Sequence, residues 1–162
     1  MTRGWHYKDV LQAILNTEVK PEPVDAAMRA IIRYDFNRTK VQQALERFGA
    51  ADLIHYKEDL LDLLLSYANI ILDDHAISDG EFQDFGLLKL LFKIKEGDFF
   101  ERRFSEVQDI VNQQMTYITG DAVITLDETF TTANLQSMFD LSSEQFFSIW
   151  QNATPSVRRG LK

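Results

Sequence analysis

Apolar positions recur along this chain at steps of three and four residues almost from end to end, the spacing that gathers them on one face of an α-helix. Val10, Leu11, Ile14 and Leu15, preceded by Trp5, predict a short first helix that stops in Lys20-Pro21-Glu22-Pro23. Pro23 suits the start of a second helix, with Ala27, Met28, Ile31 and Ile32 on its buried side. A third runs from about Asn37 to Phe48; Val41, Ala44, Leu45 and Phe48 face inward, and Gly49 is placed to end it. From about Asp52 to Leu72 the apolar residues lie nearly all round, which predicts a helix in the middle of a bundle. Four more helices follow, about Ser78–Phe92, Glu96–Tyr117, Thr125–Phe139 and Ser142–Trp150. In the long one, Phe100, Phe104, Val107 and Val111 trace a stripe. No strand-like alternation of useful length occurs, and the β-branched stretch Thr116 to Thr125 reads as a turn around Gly120-Asp121. The pattern predicts an all-α fold: one helical bundle of about seven or eight helices over residues 1–153, followed by a frayed tail over 154–162.

Laid on itself with an offset of 47 residues, the chain repeats. Asp74 falls on Asp121, Ile77 on Ile124, Ser78 on Thr125 and Glu81 on Glu128; Leu91-Phe92 falls on Met138-Phe139, Ile94 on Leu141 and Phe99-Phe100 on Phe146-Phe147. Residues of about 50–150 are therefore expected to hold a duplicated helix-loop-helix unit, with the N-terminal helices of about 1–49 added to it. Ser78 and Thr125 are good N-caps with a glutamate three residues later, a capping box, and Ile77 and Ile124 are placed as hydrophobic staples. The Phe pairs are expected to anchor the following helix in the core. Asp74 and Asp121 are harder to explain by local stability, because an acid near a helix C-terminus opposes the dipole. Each can cap its turn, or join the box glutamate as a hard oxygen ligand for a divalent cation such as calcium or magnesium. Asp73 and Asp79 crowd the first loop further. The metal candidates are thus Asp74, Glu81, Asp121 and Glu128, with Asp73 and Asp79 as weaker members. The strict calcium-loop pattern of an EF-hand is not met.

Charge narrows the partners. The chain carries 17 Lys+Arg against 25 Asp+Glu, a net −8. Residues 1–50 hold 8 − 6 = +2 and residues 51–162 hold 9 − 19 = −10. That balance argues against a nucleic-acid backbone and for divalent cations or a basic protein partner. Cys is absent, which removes disulfides, thiolate zinc sites and cysteine nucleophiles and agrees with a reducing compartment. The N-terminus lacks the apolar core of a signal peptide, and the most apolar run, Leu60 to Leu72, is too short and too polar to span a bilayer. A cytoplasmic location is expected. His6, His55 and His75 lie apart with no partner at i+4, and no phosphate-binding glycine loop or nucleophile elbow occurs. No enzymatic constellation is legible.

A helix, an acidic loop of the form A-D-G-x-I-[SD]-x-x-E and a second helix, occurring twice, is similar to the TerB-like family, named for tellurite resistance. The residues that carry the resemblance are Leu72-Asp73-Asp74-His75-Ala76-Ile77-Ser78-Asp79-Gly80-Glu81 and, more faintly, Gly120 to Glu128. The family's glycine after the loop aspartate is His75 in one copy and Ala122 in the other. The resemblance implies a small non-enzymatic helical module linked to metal or stress response and to protein complexes, with Asp74, Glu81, Asp121 and Glu128 as cation ligands. The rival reading is a metal-independent interaction protein of the inhibitor or immunity type, which neutralises a basic target through its acidic part.

Overall fold

The computed structural model describes residues 4–48, 53–119 and 126–151, without the side chains at 53–54, 119, 126–130 and 150–151. Gly49, Asp121, Ile124, Thr125, the Glu128 side chain and the tail over 154–162 lie outside the described residues. Every regular element among the described residues is helical.

The first helix, α1 (Tyr7–Thr17), is capped by His6, whose Nδ1 accepts the Lys8 N–H at 3.2 Å, and buries Val10, Leu11 and Ile14. α2 (Glu22–Tyr34) carries its proline in the first turn, where a missing N–H is harmless, and ends at Asp35 with φ 61°. The Asp35 carboxylate accepts the Tyr7 hydroxyl hydrogen and meets Lys8 at 2.9 Å, which ties the end of α2 to the start of α1. The Tyr7 hydrogen bond and Lys8 hold the Asp35 carboxyl below the usual carboxylate range. α3 (Arg38–Glu46) starts at Asn37, whose side chain accepts the Lys40 N–H at 3.1 Å. Val41 and Leu45 are buried, but Phe48, expected on the same inward face, lies beyond the helix end and is 47% exposed.

A 3-10 turn (Leu53–Tyr56) leads into α4 (Lys57–Ile71), the most enclosed helix, with Leu60, Leu61, Leu63, Leu64, Leu65, Tyr67, Ala68 and Ile71 buried. This is the central helix that its all-round apolar pattern predicts. α5 (Asp79–Leu91) follows, then α6 (Asp98–Arg102), α7 (Phe104–Thr119), α8 (Leu126–Met138) and α9 (Ser143–Gln151). The long helix expected over about 96–117 is therefore two. The break falls at Arg103, with φ −135° and ψ 38°, and its guanidinium reaches α4, with Nε 2.8 Å from Asp62 and Nη1 2.8 Å from Glu58. Burial alone would lower the Arg103 pKa, but Asp62 and Glu58 outweigh it and raise it. The apolar stripe does not register the break because the ladder is kept across it: the Arg103 N–H bonds Phe99 O at 2.8 Å, and the Val107 N–H bonds Arg103 O at 3.0 Å. The division of that helix brings the number of α-helices among the described residues to nine.

The ends of α5 and α8 are built alike. Lys93 and Asp140 both adopt left-handed backbone, with φ 57° and 53°. Beyond them the Ile94 N–H bonds Lys89 O at 2.9 Å, and the Leu141 N–H bonds Gln136 O at 3.0 Å. Such six-to-one bonds satisfy carbonyls that a helix end leaves open. The next turns also correspond: the Lys95 N–H bonds Asp98 Oδ2 at 2.7 Å, and the Ser142 N–H bonds Gln145 Oε1 at 2.9 Å. Burial pushes the Asp98 carboxyl up, yet the Lys95 N–H and the Lys57 ammonium, 3.1 Å away, bring it below its ordinary range.

The buried side chains form one contiguous cluster from Tyr7 to Ile149. At its centre Phe85, Phe99 and Phe139 meet, with ring centroids 5.1 to 6.3 Å apart. The Phe pairs thus divide their work. Phe99 is enclosed, Phe100 packs edge-on against Phe104 at 5.1 Å, and Phe147 is 57% exposed. Adjacent residues on a helix point about 100° apart, so a helix packed on one side cannot bury both.

Candidate functional site

The first acidic loop closes on itself before it meets anything else. The His75 N–H bonds Leu72 O at 3.0 Å, and the Ala76 N–H bonds Asp74 Oδ1 at 3.1 Å, the local turn an aspartate forms with backbone two residues on. His75 itself has φ 60°, the left-handed conformation that a glycine favours, and it is the position where the resembled pattern carries glycine. Its ring stacks on Tyr117 at 4.0 Å and 12°, and Nδ1 lies 3.2 Å from Gln114 Oε1. These contacts from α7 hold a residue type whose backbone cost there is about 1 kcal/mol.

The capping box forms as the spacing predicts. Ser78 Oγ accepts the Glu81 N–H at 3.1 Å, and Glu81 Oε1 accepts the Ser78 N–H at 2.9 Å. Ile77, the staple, is buried. A third bond has no signal in the local sequence: Glu81 Oε2 accepts the Trp5 N–H at 2.9 Å, across 76 residues. The Trp5 indole N–H then reaches both Asp73 oxygens at 3.3 Å. The chain before α1 lies so close that a Cβ built on Gly4 would stand 2.6 Å from Ser78 Oγ. Glu81 is left 2% exposed with each carboxylate oxygen accepting a backbone N–H.

The predicted metal candidates are consequently divided. Asp73, Asp74 and Asp79 are exposed at the loop and first turn, while Glu81 is turned inward. Among the described residues no group of three or more histidine, aspartate or glutamate side chains is arranged to hold a metal ion.

The helices on either side of this loop carry titratable groups that periodicity does not single out. Tyr67 is fully buried and its hydroxyl finds no hydrogen-bond partner among the described residues. Burial, then the charges of Asp84 and Glu81, push its ionisation far above the ordinary tyrosine range. The Asp84 carboxyl is also raised by burial, against a smaller opposing pull from His6.

A second acidic feature is assembled only in three dimensions. A cleft of about 500 Å³ gathers Glu18 from the end of α1, Asp62 from α4, and Glu106 and Asp109 from α7, over a floor of Leu65 and Ile110. Glu18 holds Lys20 at 3.1 Å and Ser66 Oγ at 3.0 Å; Asp62 and Glu106 face Arg103. Asp109 is exposed and meets no cation among the described residues.

No protein-family model, no curated protein and no solved structure matches this chain.

Proposed function

We propose that this chain is a non-enzymatic, metal-independent interaction module that receives a basic partner protein on its acidic face. The disposition of Glu81 carries this reading. An acid that is enclosed and accepts two backbone N–H bonds serves the fold: it pins the entry of α5 and the chain before α1 to one point. The cleft with Glu18, Asp62, Glu106 and Asp109 gathers four carboxylates over a small apolar floor; three of them hold Lys20 or Arg103, and the exposed Asp109 meets no cation among the described residues. The groups whose pKa values are displaced by specific partners, Asp35, Asp98 and Arg103, each sit in a pair that joins helices, which favours architecture over catalysis.

We further infer that the α4–α5 and α7–α8 segments are copies of one helix-loop-helix unit in a single domain, supported by the matching helix ends 47 residues apart. The acidic, cysteine-free composition suits a reducing cytoplasm. Among the described residues no helix is long and apolar enough to cross a membrane.

The cation-binding module implied by the TerB-like resemblance, with its link to stress response, is the second reading. The exposure of Asp74 and Asp79 beside Asp73 favours it. Thermal unfolding separates the two. In chelator and then in millimolar calcium or magnesium, the Tm is expected to stay unchanged, and a lysine-rich probe peptide is expected to bind at low salt and dissociate as salt rises. Asp62→Lys with Asp109→Lys should abolish that binding. A ligand at about 100 times its Kd adds about 2.7 kcal/mol, so a Tm rise of several degrees that vanishes in Asp74→Ala/Asp79→Ala would establish the cation instead.

A further inference from the structure

We propose that the cleft between α2 and α3 is a docking site for an acidic, amphipathic helical peptide of a partner protein. The cleft measures about 500 Å³ and lies on the opposite charge sign from the rest of the chain. Arg29, Arg33, Lys40 and Arg47 line it against Glu22 and Asp25, a local balance of 4 − 2 = +2 on a protein of net −8. None of these cations meets a carboxylate among the described residues, whereas Lys8, Lys20, Lys57, Lys89, Arg102 and Arg103 each do. In a chain with a surplus of acids, cations left without one on a single concave face are available to a carboxylate from elsewhere.

The lining suits a helix. Glu22, Asp25, Ala26, Arg29, Ala30 and Arg33 step by three and one, so one face of α2 borders the cleft for roughly 16 Å. Ala26, Ala30 and Ala44 keep its floor shallow, which lets a second helix approach closely. Tyr34 and Phe48 are exposed at its two ends and offer apolar contact area at little entropic cost. Tyr34 also gathers charge, with Arg33 Cζ 5.3 Å and Lys40 Nζ 4.9 Å from its ring centroid.

Asp25 decides against a plain polyanion. Its carboxylate lines the cleft beside Glu22 and puts negative charge among the cations. A nucleic-acid strand brings phosphates along its whole length and meets Glu22 and Asp25 with repulsion. A peptide helix brings both chemistries: open N–H groups and a positive dipole end toward Glu22 and Asp25, and glutamate or aspartate side chains toward Arg33, Lys40 and Arg47. This site is independent of the acidic face described above.

The test is selection from a random library of peptides of about 12 residues, about three helical turns, displayed on phage against the full chain, with Arg33→Glu/Arg47→Glu as counter-target. Both substituted positions are exposed, and the helical circular dichroism and Tm of the variant establish that it folds. The expected survivors are net acidic with apolar residues at i and i+4. A synthetic copy should bind with salt-sensitive affinity, weaken at least about tenfold in the variant, and perturb backbone amides of α2 and α3. The proposal is overturned if nothing is enriched, or if the survivors are neutral or basic or bind the variant equally. It is also overturned if a single-stranded oligonucleotide displaces the peptide at equal concentration, or if the cleft is blocked by a second copy, seen as a dimer that the variant abolishes.

Discussion

Asp84 and Tyr67 show how little a single position's hydropathy says about its electrostatics. Both are shifted upward chiefly by burial. For Asp84 the sign is definite. The folded state holds its proton more tightly than the unfolded chain, so this group favours folding most below its unfolded pKa, near pH 4, and loses that contribution as pH rises through its higher folded value. Asp84→Asn should therefore raise stability at neutral pH and flatten the decline from about pH 4 upward. The gain should be a fraction of about 1 kcal/mol, because the group is partly solvated. Urea unfolding of both proteins across that range checks it, and an Asn variant less stable at pH 7 would show that the ionised carboxylate is favourably paired. His75 teaches a related lesson. A histidine in left-handed backbone is unfavourable on its own, yet His75 adopts φ 60° with its ring held by Tyr117 and Gln114.

At the scale of the element, the entry to α5 carries more than its motif announces. The Ser78–Glu81 box is local and legible at a spacing of three residues, whereas the Trp5 N–H on Glu81 Oε2 is set by a contact across 76 residues. Removing the hydroxyl alone, Ser78→Ala, should cost about 1 kcal/mol. Glu81→Ala should cost more, about 2–4 kcal/mol, because it leaves two enclosed backbone N–H groups without an acceptor. Denaturant unfolding would measure the difference; equal costs would mean that the Trp5 bond contributes nothing. The split of the expected 96–117 helix belongs to the same scale. Apolar spacing reports on hydrogen-bond continuity, and continuity survives a single displaced residue such as Arg103.

Across the whole molecule, the Phe85, Phe99 and Phe139 rings join α5, α6 and the turn after α8 at one point in the core. Phe99→Ala should cost about 3–5 kcal/mol, read as a lowered Tm, while Phe147→Ala, at an exposed position, should change stability by less than about 0.5 kcal/mol. A large loss from Phe147→Ala would show that α9 packs more tightly than its 57% exposure implies. The ammonium of Lys89 adds a polar tie between the same segments, 2.9 Å from Asp140 and 3.1 Å from Ser137 O.

Helical class, the order of the elements, the Ser78 cap and the central place of α4 were written in the sequence, because each depends on neighbours within about one helical turn. The 47-residue register belongs there too, down to positions that end α5 and α8 alike. What each acid does was decided only by the fold. Asp74 and Glu81 are both candidate cation ligands in the motif, yet one lies exposed in its own turn and the other is enclosed beneath Trp5. The acidic cleft of α4 and α7 and the basic one of α2 and α3 each join helix faces that are periodic on their own, but which faces meet is not written in either helix. Local periodicity specifies which face of a helix is apolar; which charges share a surface follows from how those faces pack.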